Sequence, residues 1–221
     1  MTADESARAD ALRQRIAALR AGTQRCEDHI AIERLQRAYG FYIDKGYWRE
    51  ASNLFAEDAT FEHGKDGVYR GRARIHELIV RLGGGNPGPG LPYGQLNQRL
   101  QLQGVVTLSD DGATARGRWR ELAMLGQYGE WAAWGDGIHE NDYVREDGVW
   151  KIAALRFYPN FVAPYEGGWA ALEPATGDLR SEAARAFPPD GPATIDYRPF
   201  PEISVPPFHY PNPVTGKEAA R

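Results

Sequence analysis

The stretch FYIDKGYWREASNLFAEDATFEHGKDGVYRGRARI, residues 41–75, sets the pattern of the fold. An apolar helix runs into it and stops at Gly46. A short helix over 48–55 follows, then a turn and a strand at 59–63, and a further helix occupies 71–82. The stretch therefore predicts helices packed beside the first strands of a sheet.

Asp44 interrupts this apolar pattern, because it lies where the first helix should finish its buried face. A buried carboxylate is costly unless hydrogen bonds replace its lost hydration. Carboxylates with perturbed pKa values in pockets are often functional groups. The alternative is that Asp44 caps the helix end or pairs with Lys45 or Arg49.

Outward from this stretch, the chain begins with helices and continues with strands. The pattern predicts one helix over 5–21 that ends at Gly22, and a second that starts near residues 26–28. The Gly- and Pro-rich loop 83–92 separates the helices from a meander with hairpin turns at SDDG and REDG. Four strands are predicted at 94–108, 113–127, 131–146 and 149–158. This order indicates an α+β fold in which a bent antiparallel or mixed sheet wraps around helices.

Three segments follow from these patterns: an N-terminal helix at 1–27, a domain at 28–172 and a Pro-rich tail at 173–221. Closely spaced prolines prevent regular ladders in the tail. Its aromatic residues indicate that it packs on the domain or on a partner subunit. We expect a homodimer or homotrimer, because an open sheet face is commonly covered by another copy.

The composition excludes several classes of function. The 221 residues carry a net charge of −4 and no long basic run, so nucleic acid is not an expected partner. The N-terminus lacks an apolar signal segment and no stretch predicts a membrane span, so we expect a cytoplasmic protein. Cys26 is the only cysteine, and no metal-ligand spacing is present. We expect neither a metal nor another cofactor.

A resemblance appears in four motifs: YxxxxD (39–44), LFxxDA (54–59), VYRGRxxI (68–75) and DGVWKI (147–152). Their order resembles the NTF2-like superfamily over about residues 28–169. More narrowly, it is similar to the SnoaL-like branch, which includes scytalone dehydratase and hexachlorocyclohexane dehydrochlorinase. The resemblance implies a cone-shaped α+β barrel around one deep pocket. The same fold hosts enzymes and plain binding proteins.

The resemblance also implies site residues. An Asp at the position of Asp44 points into the pocket of these lyases and holds a catalytic His. The matching H-x-x-x-N pattern here reads YGQLN, so Tyr93 replaces that His while Asn97 is kept. Tyr93, with Tyr42 or Asn97, is expected to hydrogen-bond a leaving or developing oxygen.

Two histidines are candidates to replace the missing one. His139 alternates with Asn141 and Tyr143 on one predicted strand face, which the resemblance turns inward. A neutral imidazole serves as general base or acid near neutral pH. His139 is therefore either catalytic, paired with Asp44, or a structural residue of the wall. His63 is expected near the pocket mouth.

Arg156 is predicted to be in phase with the apolar face of the last strand, with Trp150 and Ile152. It either orients the substrate or forms a salt bridge, for which Glu121 is the candidate partner. An aromatic wall is also predicted, and it favours a flat apolar ligand. The wall residues chosen as substrate contacts are Trp119, Trp134 and Tyr158.

These features predict a cofactor-free lyase acting on a small aromatic or apolar alcohol. A more specific hypothesis follows from similarity to lyases of lignin catabolism: loss of formaldehyde and water from a 1,2-diaryl-1,3-diol to give a stilbene. One alternative is a dehydratase or isomerase of a polyketide, steroid or terpenoid. The other is a non-catalytic binding protein.

Overall fold

A computed structural model describes residues 3–174, 180–202 and 204–219. The helices are α1 (Ala3–Asp44), α2 (Trp48–Ser52), α3 (Arg72–Leu82) and α4 (Glu182–Ala186), and a 3-10 turn covers Gly168–Ala171. The strands are β1 (Phe55–His63), β2 (Gly67–Arg70), β3 (Gln95–Leu108), β4 (Thr114–Gln127), β5 (Trp131–Glu146) and β6 (Val149–Pro164). The predicted succession of helices and then long strands is confirmed.

The six strands form one mixed sheet in the order β2-β1-β6-β5-β4-β3. Neighbours are antiparallel except for β1 and β6, which run parallel. The predicted α+β class is confirmed, although the sheet stays open and does not close into a barrel. Register shifts in three of the five strand pairs bend the strands and give the sheet its curvature.

The core lies between the inner face of this sheet and helices α1, α2 and α3. Fully buried side chains from both layers meet there, among them Ile32, Phe55, Ile75 and Leu155. Removal of this apolar surface from water is the main favourable contribution to folding. The core leaves one end of the layer unfilled, and the candidate site occupies that end.

The predicted REDG turn joins β5 to β6 in two residues. Asp147 and Gly148 have φ angles of 51° and 78°. Left-handed conformations at both positions match the twist of the flanking strands, and Asp-Gly tolerates them better than most pairs. This turn sets the start of the pairing between β6 and β5, the strand that carries His139.

The prediction that Gly22 ends a first helix is wrong, because α1 continues without a break to Asp44. A helical glycine costs about 1 kcal/mol relative to alanine, and good helix formers on both sides offset that cost. Leu12, Ile16 and Leu19 of this segment are at least half exposed. No helix in the described ranges, α1 included, is long and apolar enough to span a bilayer.

An extra residue in β6 reverses its alternation. Tyr143 pairs with Ile152, but the preceding Asp142 pairs with Ala154, so Ala153 forms a bulge. Beyond the bulge, Leu155 rather than Arg156 faces the core. The prediction that Arg156 shares the apolar face is therefore wrong.

The C-terminal tail packs on the outer face of the sheet. Thr194 donates a backbone hydrogen bond of 2.8 Å to the buried Glu62 of β1. Further along, His209 Nδ1 lies 3.0 Å from Glu140 Oε2 of β5. The tail thus gives polar residues of the outer face partners within the same chain.

Candidate active site

A cavity of about 240 Å³ lies between the helices and the inner face of the sheet. Most of its wall is apolar, from Tyr39, Ile43, Trp48, Phe61, Ile79, Leu82, Ala123, Leu125, Phe157, Pro159, Phe161 and Val162. Its polar and charged wall residues are His63, Asn97, Arg99, Glu121, Asp136 and His139. An apolar enclosure with a few converging polar groups is typical of small-molecule sites.

Strand β5 presents His139 to the cavity. His139, Asn141 and Tyr143 alternate on the inner face, as predicted, and each is only 1% exposed. The His139 ring lies 4.6 Å from the Phe157 ring centroid. This packing fixes the plane of the imidazole.

The carboxylate partner of His139 is Glu121 on the neighbouring strand β4. His139 Nε2 lies 2.9 Å from Glu121 Oε2. Glu121 also accepts hydrogen bonds from Arg99 Nη1 at 2.7 Å and Gln101 Nε2 at 3.2 Å. Burial raises the pKa of Glu121, but the Arg99 charge and the His139 hydrogen bond outweigh burial and hold that pKa at about 2. The Glu121 carboxylate is therefore ionised and only accepts hydrogen bonds.

This network determines the tautomer of His139. Because Glu121 only accepts, Nε2 carries a proton, and the neutral form of the ring therefore has its lone pair on Nδ1. Nδ1 is buried and has no hydrogen-bond partner among the described residues. Buried polar atoms are nearly always paired, so an unpaired nitrogen on a cavity wall indicates a place for a ligand atom.

Tyr39 of α1 places a hydroxyl on the same wall. Its side chain is 5% exposed, and its ring centroid lies 6.4 Å from that of His139. The hydroxyl has no hydrogen-bond partner among the described residues. Burial, and next the Glu121 charge, raise the pKa of Tyr39 well above its usual value. The hydroxyl therefore stays protonated and is available to donate.

A second histidine–carboxylate pair adjoins the cavity. His63 Nδ1 lies 2.8 Å from Asp66 Oδ2, which also accepts a 2.6 Å hydrogen bond from the Ser181 hydroxyl. Burial raises the pKa of Asp66, but the hydrogen bonds with His63 and Ser181 hold it below its usual value. The His63 and Phe157 ring centroids are 5.7 Å apart, so both histidine rings contact Phe157.

Asp44 has a different partner from the one predicted. Its carboxylate accepts a hydrogen bond from the Arg99 backbone N–H, and it is not part of the cavity wall. Asn97 Nδ2 donates to the Ile43 carbonyl at 3.0 Å, and Asn97 Oδ1 accepts from Arg99 Nε at 3.0 Å. Asp44 and Asn97 thus attach the end of α1 to β3 and position Arg99. In the described residues, no group of three or more His, Cys, Asp or Glu side chains is arranged to hold a metal ion.

A model of the SnoaL-like domain matches residues 24–156, more than half of the chain. The protein belongs to the SnoaL-like family, within the NTF2-like superfamily. The family predicted from the sequence motifs is therefore confirmed.

Solved structures agree on the fold of this SnoaL-like protein. A scytalone dehydratase-like protein of Novosphingobium aromaticivorans is 18% identical, with a TM-score of 0.57 over 73% of this chain and 99% of its own. The dehydrochlorinase LinA-type3 of Novosphingobium barchaimii is 18% identical, with a TM-score of 0.57 over 66% of this chain and 95% of its own. No curated protein sequence matches the chain significantly.

Several predicted substrate contacts of the SnoaL-like domain lie outside the cavity. Tyr93, at the position of the family His, is 90% exposed in the loop before β3 and, contrary to prediction, does not lie on the cavity wall. Tyr42 is half-buried against the core and is not a wall residue. Asn97, His63 and His139 do line the cavity, as predicted.

The aromatic residues chosen as wall residues in the prediction do not form the wall of the cavity. Trp119 is buried and donates from Nε1 to the Tyr143 hydroxyl at 2.9 Å. Trp134 stacks on Tyr165, with 6.4 Å between the ring centroids. None of these four residues lines the cavity. Trp119 and Trp134 are therefore packing residues, contrary to prediction.

Arg156 and Tyr158 lie on the outer face because of the bulge in β6. Arg156 Nη2 donates to Asp142 Oδ2 at 2.8 Å, so its partner is not the predicted Glu121. Tyr158 packs edge-on against Tyr197 of the tail, at 5.2 Å between centroids. Neither residue contacts the cavity in the SnoaL-like domain.

Sequence reasoning missed Tyr39, Arg99 and Glu121 as site residues. Tyr39 is the first residue of the YxxxxD motif, so its signal was available. Glu121 alternates with Trp119 and Ala123, which are buried on the inner face. A carboxylate on the buried face of a strand needs a hydrogen-bond partner that is also buried.

Proposed function

We propose that this protein is a lyase that acts on a small aromatic or otherwise apolar alcohol through its own acid and base side chains. The observation that supports this most directly is the buried, unpartnered Nδ1 of His139, a residue that lines an apolar cavity. A base in that position needs only a substrate proton within reach.

His139 is the proposed general base. Its Nδ1 accepts the proton of a substrate hydroxyl, and the Glu121 carboxylate stabilises the imidazolium that forms. Arg99 keeps Glu121 ionised and fixes its orientation through the 2.7 Å hydrogen bond. A positioned general base of this kind contributes about 10²- to 10⁴-fold to the rate.

Tyr39 and His63 are the proposed donors. The Tyr39 ring lies edge-on to His139, and its hydroxyl is free to hydrogen-bond a leaving or developing oxygen. His63 is held by Asp66 through Nδ1, and it would donate from Nε2 as the imidazolium, which the Asp66 carboxylate stabilises. The apolar wall excludes water, and exclusion of water strengthens these few polar interactions.

The finer proposal is that the substrate is a lignin-derived 1,2-diaryl-1,3-diol. His139 takes the proton of the primary hydroxyl, and the O–H electron pair forms the carbonyl of formaldehyde. The bond between the hydroxymethyl carbon and its neighbour breaks, and its electron pair forms the stilbene double bond. The benzylic hydroxyl leaves as water with a proton from the acid, so one formaldehyde and one water are released per stilbene.

A dehydratase or isomerase is the second candidate. It is favoured by the solved structures named for a dehydratase and a dehydrochlorinase, which share the fold at TM-scores of 0.57. The same base and acid would then remove a proton from carbon and release water without breaking a C–C bond. Formaldehyde distinguishes the two, since only the first reaction produces it.

The test uses purified protein and 1,2-bis(4-hydroxy-3-methoxyphenyl)propane-1,3-diol. Stilbene absorbance and formaldehyde are followed together, with His139→Gln and the matched control His29→Gln on the exposed surface of α1. We expect equal amounts of both products, lost in His139→Gln and kept in His29→Gln. Loss of water without formaldehyde would favour the dehydratase, and binding without turnover would favour a non-catalytic protein.

A further inference from the structure

A second cavity of about 290 Å³ adjoins the first. The two cavities share four wall residues, His63, Pro159, Phe161 and Val162. His63, one of the proposed donors, therefore stands at the boundary between them. A molecule long enough to contact His63 from the first cavity can therefore continue into the second.

The tail builds much of this second cavity. Tyr197, Pro199 and Phe200 form one side, and Leu172 lies after the 3-10 turn on another. Phe200 packs against the shared Phe161 at 6.2 Å between centroids. These contacts make the second cavity a formed site, separate from the side chains that hold His139.

Polar groups in the second cavity differ from those in the first. Tyr197 is 4% exposed, and its hydroxyl has no hydrogen-bond partner among the described residues. That oxygen lies beside Gly64, where an added Cβ would come within 2.7 Å of it. The Lys65 ammonium, which pairs with Asp196, lies 5.5 Å from the Tyr197 ring centroid. A hydroxyl without a partner, on a buried side chain, and a nearby cation suit a ligand oxygen.

The volumes of the two cavities allow one ring each. A cavity of about 150 Å³ accommodates benzene. The first cavity, at about 240 Å³, and the second, at about 290 Å³, both exceed this volume. A substrate with a single ring would leave one of them filled only by solvent.

We propose that the second cavity binds a second, oxygen-bearing aromatic ring of the substrate whose reacting carbons lie in the first cavity. This inference rests on the proposed function and specifies its substrate class as a two-ring phenol or aryl ether. The Tyr197 hydroxyl bonds the phenol or ether oxygen attached to this ring, and the shared Phe161 packs between the two rings. The C–O bond of the leaving benzylic hydroxyl then lies at the boundary end of the first cavity, beside His63.

The experiment measures binding without turnover, by isothermal titration calorimetry with the full chain. The probes are 4,4′-dihydroxystilbene, which has two rings, and 4-methylphenol, which has one. Leu172→Trp fills the second cavity, and Val214→Trp, at a position 91% exposed, is the matched control. We expect the two-ring probe to bind about 100-fold more tightly than the one-ring probe to the wild type and to Val214→Trp. In Leu172→Trp this advantage should fall to within about threefold, with one-ring binding unchanged.

A second variant tests the polar contact without changing the cavity volume. Tyr197→Phe should weaken 4,4′-dihydroxystilbene about 10-fold and leave unsubstituted trans-stilbene unchanged, because only the former has an oxygen to bond. Equal affinities of the two-ring probe for wild type and Leu172→Trp would overturn the inference, as would its failure to bind the wild type.

The outcome is independent of catalysis. Tight, Leu172-dependent binding of the two-ring probe with no turnover of the diol supports this subsite and contradicts the proposed function. Turnover of the diol at the same rate by wild type and Leu172→Trp supports the proposed function and contradicts this subsite.

Discussion

The inner cavity and the boundary with the second cavity each carry a histidine bonded to a carboxylate, yet the two pairs differ in their surroundings. The His139 side chain is 2% exposed and its carboxylate is held by Arg99 and Gln101. The His63 side chain is 20% exposed and its carboxylate is held by Ser181 of the tail. One pair is fixed by the sheet and the other by the segment that follows it.

This difference indicates a division of tasks. A buried base with a fixed tautomer is suited to remove a proton, since no water competes for its lone pair. A partly exposed histidine at the boundary is suited to return the proton to a leaving group and to exchange it with solvent. Substitutions in the two pairs should separate these tasks, with the largest effect at His139.

Replacement of His139 by Gln should lower kcat/KM for the diol by about 10³- to 10⁴-fold, because the base is lost. The measurement is initial-rate formation of stilbene, with His29→Gln as the control. A smaller decrease in kcat/KM for His139→Gln than for His63→Gln would contradict this division of tasks. Binding of 4,4′-dihydroxystilbene to the variant reports whether the cavity is intact.

Replacement of Glu121 by Gln should lower kcat/KM by about 10²- to 10³-fold. The Gln amide can donate to His139 Nε2, which would move the imidazole proton to Nδ1 and remove the lone pair. Glu130→Gln, at an exposed turn, is the matched control. Wild-type activity in Glu121→Gln would show that the tautomer does not matter.

Glu121 also predicts a pH dependence of stability. Its pKa is about 2 in the fold, against an ordinary 4.5, so its contribution is present above pH 4.5 and is lost as pH falls toward 2. The difference in unfolding free energy between wild type and Glu121→Gln should therefore become smaller on acidification. The total decrease between pH 4.5 and pH 2 is expected to be on the order of 3 kcal/mol. Urea unfolding across this pH range measures it. A gap independent of pH, like that expected for Glu130→Gln, would contradict the assignment.

Replacement of His63 by Gln should lower kcat/KM about 10-fold, since Tyr39 remains as a donor in the inner cavity. The separate effects on kcat and KM are the informative readout, because loss of a proton donor lowers kcat, whereas loss of a wall contact raises KM. A rise in KM with kcat unchanged would make His63 a wall residue only.

The smallest effect is expected for Asp44→Asn, with kcat/KM changed less than about threefold, because Asn Oδ1 still accepts the Arg99 backbone N–H. Burial raises the pKa of Asp44, so the ionised carboxylate opposes folding at neutral pH. At pH 7, Asp44→Asn should be at least as stable as the wild type. Below the Asp44 pKa the wild-type carboxyl is neutral, so this advantage of the variant in unfolding free energy should disappear. Loss of turnover in a folded Asp44→Asn would restore the role predicted from the sequence.

The strands and the family were predictable because their signals are local. Alternation and the REDG turn placed β5 correctly, and with it the inner position of His139, Asn141 and Tyr143. Helix continuity through Gly22 was not predictable from the same rules, since a single glycine is compatible with an end or with continuation.

The site was only partly predictable because its key contacts depend on register. One extra residue, Ala153, moved Arg156 to the opposite face, and no local pattern marks such a bulge. The pairing of Glu121 with His139 requires β4 and β5 to be aligned residue by residue. Tyr93 matched the family position in sequence, yet the loop turns its side chain to solvent.

The second cavity has a consequence for how this protein can diversify. Six of its fourteen wall residues lie in the segment after β6, whereas the base and its supports belong to α1 and β3–β5. Exchange of residues 194–200 of that segment between homologues would alter which molecules are accepted, while His139 and the residues that hold it stay constant. The tail is therefore a module for engineering selectivity, and libraries confined to residues 194–200 are an economical place to begin.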